Sequence, residues 1–348
     1  MTHKKIIVAP LNWGLGHASR CVPIIQFLLK NKYVPIIASD GKALVFLQKE
    51  FPELESIKLP SYGISYAKNL KISLVLQIPK IAKAIRKERK DIQKYLSKNT
   101  DVVGVISDNR FGVRSNSIPS VYLTHQINVF SGLTTVISSV THQKIIRKFD
   151  ECWIPDTKDN QLSGLLSQTR NQKINRKHIG VLSRFKKESL PKVNDVLVIL
   201  SGIESQRKSL EERILVAFKN YNGKVVLVQG IMENEQRVKI QNGIKIYNYL
   251  LSSDLEKEIN QSELVICRSG YSSIMDLAVL HKNVFFIPTP NQPEQQYLAT
   301  YLKEQNIAPF CKEEDFNLEQ LTQVENYKGL VASNKQLEVE LLRLFKGE

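Results

Sequence analysis

The chain has 348 residues, 42% of them hydrophobic, and a formal net charge of +15. That length and apolar content suit about two domains with sizeable cores, and no apolar run approaches the roughly 18–20 residues that span a bilayer. The opening Met-Thr-His-Lys-Lys passes straight into a strand-like run, without a secretory-type apolar stretch. Cys21, Cys152, Cys267 and Cys311 lie far apart and lack metal-ligand spacing, so they read as buried thiols of a cytoplasmic protein.

The charge is uneven. Residues 1–192 hold 32 Lys and Arg against 13 Asp and Glu, a balance of +19, whereas residues 193–348 hold 17 against 21, a balance of −4. Such asymmetry points to an anionic partner for the first half, nucleic acid or a membrane surface, or else to a solvated, solubilising face.

In chain order, the first strand candidates are Lys5–Pro10, Val34–Ser39, Ile57–Pro60, Val102–Ser107, Ser120–Thr124 and Cys152–Ile154. Several are continuously apolar, as parallel strands covered on both faces require. Helical patterns lie between them at about Ala18–Lys30, Lys42–Lys49, Leu70–Ser97 and Leu133–Lys148, with Pro79 predicted to kink or split the third. A polar, basic stretch at 156–192 reads as a connection between domains. Alternation then restarts with strands Val196–Ser201, Lys224–Gln229, Ile244–Tyr247, Leu264–Cys267 and Val284–Pro288. Helices at Gln206–Lys219, Ser253–Gln261, Ser272–Val279 and Gln295–Glu304 fall among them, and a last helical stretch covers Asn334–Lys346. Two successive β/α series predict an α/β protein of two doubly wound, Rossmann-like domains, with ligand in the cleft at the carboxyl ends of the strands. The corresponding division is 1–155, a connection at 156–192, 193–330, and a C-terminal helix at 331–348.

Three loops carry candidate chemistry. After the first strand, Gly14-Leu-Gly16-His-Ala-Ser19 matches a dinucleotide fingerprint at two of three glycine positions, and Asp40 follows the second strand. The glycines also suit a plain tight turn; His17, at a helix start on the cleft rim, is the residue type of a general base. In the second half, Val265-Ile-Cys-Arg-Ser-Gly-Tyr271 ends a strand and opens a helix. Backbone N–H groups there, with Ser269 and Gly270, suit a diphosphate, and Asp276 two turns on suits a ribose diol. The bland alternative is a serine N-cap and a surface aspartate. The third loop, Pro288-Thr-Pro-Asn-Gln-Pro-Glu-Gln-Gln-Tyr297, brings amides to a strand end, where each can donate and accept with sugar hydroxyls; Glu294 alone could serve only the helix dipole.

Together these segments resemble the MurG-type N-acetylglucosaminyltransferases, GT-B fold enzymes of glycosyltransferase family 28. The resemblance rests on Val265–Gly270, the acid at Asp276, Gln295-Gln-Tyr297, the Gly-x-Gly-His loop, Thr124-His-Gln-Ile-Asn128 and Gly180–Arg184. It implies an inverting transfer of a hexose, N-acetylglucosamine or a relative, from a UDP-sugar to a hydroxyl acceptor, lipid-linked carriers included. It places Asp276 on the uridine ribose, where the family generally has glutamate. Ser269, Gly270, Ser201 and Gly202 fall by the nucleotide, Arg268 and Arg184 by the diphosphate, and Gln295 and Gln296 on the sugar. His17, Gly14, Gly16, Asp108, His125 and Asn128 fall on the acceptor side, with His17 or a carboxylate such as Asp108 as base. Ile203-Glu204-Ser205 departs from the family's phosphate loop. No Asp-x-Asp occurs, so no obligatory metal or cofactor is expected.

The segment Lys68–Lys98 carries ten basic and two acidic residues, with Leu70, Leu74, Val75, Ile78, Ile81 and Ile85 interleaved. It could rest the first domain on anionic lipid as a peripheral protein of the inner membrane face, or turn its apolar stripe into the core. Three rival functions remain: a UDP-N-acetylglucosamine 2-epimerase of the same fold, a nicotinamide oxidoreductase built on Gly14, Gly16 and Asp40, and a nucleic-acid-binding protein. The last lacks aromatic interleaving, so nucleic acid is not the expected partner.

Overall fold

The structure is a computed structural model that describes residues 4–63, 70–159, 161–169, 171–333 and 337–346. Runs such as Ile6–Ala9 and Val265–Cys267 are fully buried, which only a sheet covered on both faces allows. The first half alternates β1 (Lys5–Pro10), α1 (Gly16–Lys30), β2 (Val34–Ser39), α2 (Gly41–Glu50), β3 (Ser56–Lys58), α3 (Leu70–Leu96), β4 (Val102–Asp108), β5 (Ser120–Leu123), α4 (Thr135–Ile146), β6 (Glu151–Ile154) and β7 (Arg176–His178). Its strands form one parallel sheet in the order β3-β2-β1-β4-β5-β6-β7.

The second half comprises β8 (Asn194–Ile199), α5 (Glu204–Ala217), β9 (Val225–Val228), β10 (Val238–Gln241), β11 (Ile244–Tyr247), α6 (Ser252–Asn260), β12 (Ser262–Cys267), α7 (Tyr271–Val279), β13 (Asn283–Phe286) and α8 (Pro293–Glu304). Its order is β10-β11-β9-β8-β12-β13, parallel except for the β10–β11 hairpin. Each sheet has a point where the chain changes direction of winding: between β1 and β4 in the first, between β8 and β12 in the second. Open α/β sheets bind ligands beyond the carboxyl ends of the strands at such points. One apolar cluster runs from Ile6, Val8 and Trp153 of the first half to Val265, Tyr271 and Leu298 of the second, so the halves share a core.

The structure differs from the sequence expectations in four places. The stretch 156–192 supplies β7, the edge strand of the first sheet, because Cys152 and Ile154 of β6 pair with Arg176 and His178. Helix α3 continues through Pro79 and does not split there. Strand β10 was not expected; all four of its residues are exposed, and Asn242-Gly243, both at positive φ, form the tight turn to β11. The chain's last turn is a 3-10 helix, Val339–Phe345, and the Asn334 at which the expected helix starts lies outside the described residues. Phe345 is buried against Trp153 and over Gly104, which makes this turn part of the first half.

For α3, the structure favours the second of the two readings, the stripe turned into the core. Ile81, Ala84 and Ile85 pack with Leu11 and Tyr62, and Ile92 packs under β1 and β2, so the described part of its apolar stripe serves the core. Of the residues that suggested a lipid-facing segment, Lys68 and the side chains of Leu70, Leu74 and Val75 lie outside the described residues; Ile78 is exposed. Among the described residues no helix is long and apolar enough to cross a membrane.

Candidate active site

The parallel register aligns Pro10 with Asp108, so the loop after β1 and the end of β4 lie side by side at the first switch point. Gly14 turns this loop with φ +79, and α1 begins at Gly16. His17 stands in the first turn of α1 and Arg20 one turn on, among the buried Ala18, Cys21, Val22, Ile24 and Ile25. Arg20 Nε donates to Asp108 Oδ2 at 2.5 Å, and Nη2 donates to Asp108 Oδ1. The other edge of the guanidinium faces two imidazoles: Nη1 is 3.0 Å from His125 Nδ1, and Nη2 is 2.6 Å from His17 Nδ1. His17 Nδ1 is also 2.9 Å from Asp108 Oδ1.

Electrostatics follow from this packing. Burial opposes ionisation of Asp108, but the Arg20 charge and hydrogen bonds, helped by His17, hold its carboxyl well below the usual carboxylate range. Arg20 is a permanent donor, so His125 Nδ1 accepts and the proton sits on Nε2, which donates to Glu294 Oε1 at 2.8 Å. Burial keeps the His125 imidazole less basic than usual. Glu294 is likewise opposed by burial, yet His125, His17 and Arg20 hold it below its ordinary value. The chain Asp108–Arg20–His125–Glu294 thus runs from β4 of the first sheet to α8 of the second half.

At the second switch point, Ser201 and Gly202 follow β8, and Ser269 and Gly270 follow β12. Gly202 (φ +97) and Gly270 face open space: a Cβ at either would meet no atom within 4 Å. A ligand can therefore approach the backbone at both loops and the N-terminus of α7. The two halves meet here directly, through α7. Ser272 Oγ donates to Gly16 O at 2.8 Å, Tyr271 stacks on His125 with ring centroids 4.1 Å apart, and its hydroxyl donates to Pro155 O at 2.9 Å.

Asp276 is buried within α7, where Ser183 Oγ donates to Oδ1 at 2.7 Å and Arg184 Nε lies 3.7 Å from Oδ2. Burial pushes its carboxyl up to about 6, against the opposing pull of Arg184 and Ser183. Between its ordinary acidity and about 6 the folded form keeps a proton that the unfolded chain releases, so this group lowers stability as pH rises through that window. Arg184 stacks over Phe185 and Phe46 and donates from Nη1 to Ser252 Oγ at 3.2 Å. The structure thus brings together Arg184 and Asp276, both expected at the donor.

Gln292 caps α8 by accepting from the N–H groups of Glu294 and Gln295. Gln295 Oε1 accepts from Thr289 N at 2.9 Å, its carbonyl accepts from Ser269 Oγ at 2.7 Å, and Gln296 is exposed. The sugar-binding candidates therefore sit on a loop tied to the end of β12.

Two expected contacts are corrected. Arg268 points inward: Nη1 donates to the Ile287 and Pro288 carbonyls, and Nη2 to Gln206 O and Glu313 Oε2, so it braces the second half instead of meeting a diphosphate. Asn128 gives both Nδ2 hydrogens to Leu165 O and Gln168 O and accepts from Gln143, which clamps loops together instead of presenting an amide to an acceptor. Asp40, the would-be ribose acid of a nicotinamide site, is held by Arg110 at 2.8 Å and Asn12 at 3.2 Å. Sequence reasoning missed Arg20, although a lone arginine on an otherwise apolar helix face was the available signal. Among the described residues no cluster of His, Cys, Asp and Glu is arranged to hold a metal ion.

Residues 197–338 match the glycosyltransferase family 28 C-terminal domain. A UDP-N-acetylglucosamine--N-acetylmuramyl-(pentapeptide) pyrophosphoryl-undecaprenol N-acetylglucosamine transferase from Actinobacillus pleuropneumoniae is 24% identical over 349 residues, covering 96% of this chain and 92% of the relative. The crystal structure of Acinetobacter baumannii MurG aligns with a TM-score of 0.59 at 12% identity, over 99% of this chain and all of that one. Arabidopsis thaliana UGT89C1 complexed with UDP-L-rhamnose aligns with a TM-score of 0.63 at 13% identity, over 99% and 94%. The two facing sheets, the matched domain and the near-complete overlap make this chain a glycosyltransferase of the GT-B class. More narrowly it is MurG-like, with a family 28 C-terminal domain and end-to-end similarity to a MurG-type enzyme.

Removing the Asp108 charge leaves Arg20 buried without its anion. Asp108→Asn is expected to cost about 3–5 kcal/mol in urea denaturation, and Arg20→Met added to it to recover most of that loss. Full stability in the single variant would show that the pair is not holding this corner.

Proposed function

We propose that this glycosyltransferase moves N-acetylglucosamine or a related hexose from its UDP conjugate to a hydroxyl acceptor, with inversion at the anomeric carbon. The observation that carries this reading is the His17–Asp108 pair at the start of α1, which touches the start of α7 next to the open backbone at Gly270. In the structure His17 Nδ1 lies between Asp108 Oδ1 and Arg20 Nη2; in the reactive tautomer Nδ1 carries the proton and donates to Asp108, Arg20 Nη2 yields its contact with that nitrogen, and Nε2 takes the acceptor's proton. General-base help of this kind contributes about 10²–10⁴-fold. The leaving diphosphate gathers charge beside the N–H groups that open α7, the Gly202 loop and Arg184, all fixed before reaction. Asp276, when ionised, accepts from the ribose hydroxyls; Gln295 Nε2 and Gln296 address the sugar.

The acceptor in this reading is carried on lipid, and the first half meets the membrane. Support comes from α4, where Val136 (73% exposed), Ile137 (71%) and Val140 (47%) stand in solvent ahead of the exposed Lys144, Arg147 and Lys148. Branched aliphatics followed by cations suit the headgroup region of an anionic bilayer, each cation adding about 1 kcal/mol.

Calorimetry with UDP-N-acetylglucosamine, whose diphosphate diester does not titrate near pH 6, tests the donor. Affinity is expected to weaken about tenfold per pH unit below about 6, as Asp276 takes up a proton, and Asp276→Asn to bind weakly with no such slope. Binding of NAD in place of the UDP-sugar would overturn the reading. Turnover of His17→Ala is expected to fall at least 100-fold with donor KM little changed; unchanged turnover would remove His17 from the role of base. Co-sedimentation with anionic vesicles at low salt is expected to be lost in Val136→Ser/Ile137→Ser, and wild-type protein that stays in the supernatant would rule out the lipid surface.

A further inference from the structure

Among the described residues, Glu294 is the one carboxylate of the second half joined to the Asp108–Arg20 cluster. A carboxylate at the start of α8 can serve the helix dipole while pointing to solvent. Here it does more: its Oε1 accepts from His125 Nε2 at 2.8 Å, across the boundary between the halves. The imidazole has no freedom left. Arg20 forces its Nδ1 to accept, Glu294 takes its Nε2 proton, and Tyr271 stacks on its face at an interplanar angle of 7°. Arg20 in turn lies across Asp108 and His17 together, so its placement decides whether His17 Nδ1 meets the carboxylate or the guanidinium.

We propose that Glu294 is a positioning residue for the base: by fixing His125 and through it Arg20, it aligns His17 with Asp108 only when the second half is docked on the first. The anchoring of Glu294 makes this a coupling to the donor side. Gln292 holds the N–H groups of residues 294 and 295, and Ser269 Oγ holds the Gln295 carbonyl, so a shift of the loop that carries Gln295 and Gln296 moves Glu294 with it. Donor seating and readiness of the base become one event. An arriving acceptor then meets a competent His17 only over a filled donor site. The inference rests on His17 being the base.

The test uses the full chain labelled with ¹⁵N-histidine, so that it does not depend on knowing the acceptor. Wild-type His125 is expected to show one tautomer, protonated at Nε2. In Glu294→Ala the ring nitrogens of both His125 and His17 are expected to shift, while those of His178 and His281 stay in place. Hydrolysis of UDP-N-acetylglucosamine should lose about tenfold or more in kcat with donor KM within about twofold. His125→Gln, which can accept from Arg20 and donate to Glu294, should retain more turnover than the equally folded His125→Leu. Unmoved His17 nitrogens in Glu294→Ala would overturn the proposal, as would a raised KM with intact kcat, which would make Glu294 a sugar contact. If wild-type protein does not turn over this donor, the functional reading fails, whereas the nitrogen spectra still decide the coupling.

Discussion

A buried guanidinium sets the terms for the centre of this molecule. Taking the Arg20 charge out of water costs several kcal/mol unless most of its N–H groups find partners and its charge finds an anion. Asp108 supplies the anion, itself fully buried at the end of β4, and two imidazoles take the remaining edge of the fork. The rest follows from that arrangement. Asp108 remains ionised although buried, His125 holds its proton on Nε2, and Glu294 is drawn to the first half by the hydrogen that Arg20 has turned toward it. Without Arg20, Asp108 would be a fully buried carboxylate with no cation to offset its charge.

Much of the architecture was legible because the period of the hydrophobic pattern is a backbone property. β1 and β2 coincide with their apolar runs, and the helices between them fall within two residues of the 3.6-residue stripes. β10 escaped because its exposed residues carry no burial pattern; only the Asn242-Gly243 turn announces it. β7 escaped for a related reason: Arg176-Lys-His178 is a polar edge strand held by backbone pairing alone. Of the site, the glycines could be read because a turn at positive φ or an open approach demands them. Side-chain direction could not. Arg268 and Asn128 lie in the expected loops, but their partners, Glu313 and the 165–168 carbonyls, are 45 and about 40 residues away in the chain.

The two halves hold each other by more than the central network. Tyr297 packs edge-on against Phe130 and accepts from Leu165 N, Glu50 accepts from Ser252, and Lys49 donates to Asn234 O. Their chemistry differs from that of the shared core: most are polar, single and at least partly solvated, worth about 1 kcal/mol each. Polar contacts of this kind can be exchanged for contacts with water or ligand at little cost, which an apolar seam of equal area could not do.

The path of the chain sets how such an exchange can proceed. Gly180 still bonds to Asp156 in the first half, while Ser183 already bonds to Asp276 in the second. Much later, Ala332 bonds to Ala278 in the second half, and Phe345 lies under Trp153 in the first. The backbone therefore crosses between the halves twice, and the second half is anchored beside the first at both of its ends. Whatever enters the cleft is met by the edge of α7 and α8 that this double anchorage presents, a placement set by the route of the backbone before any side chain at the site adds to it.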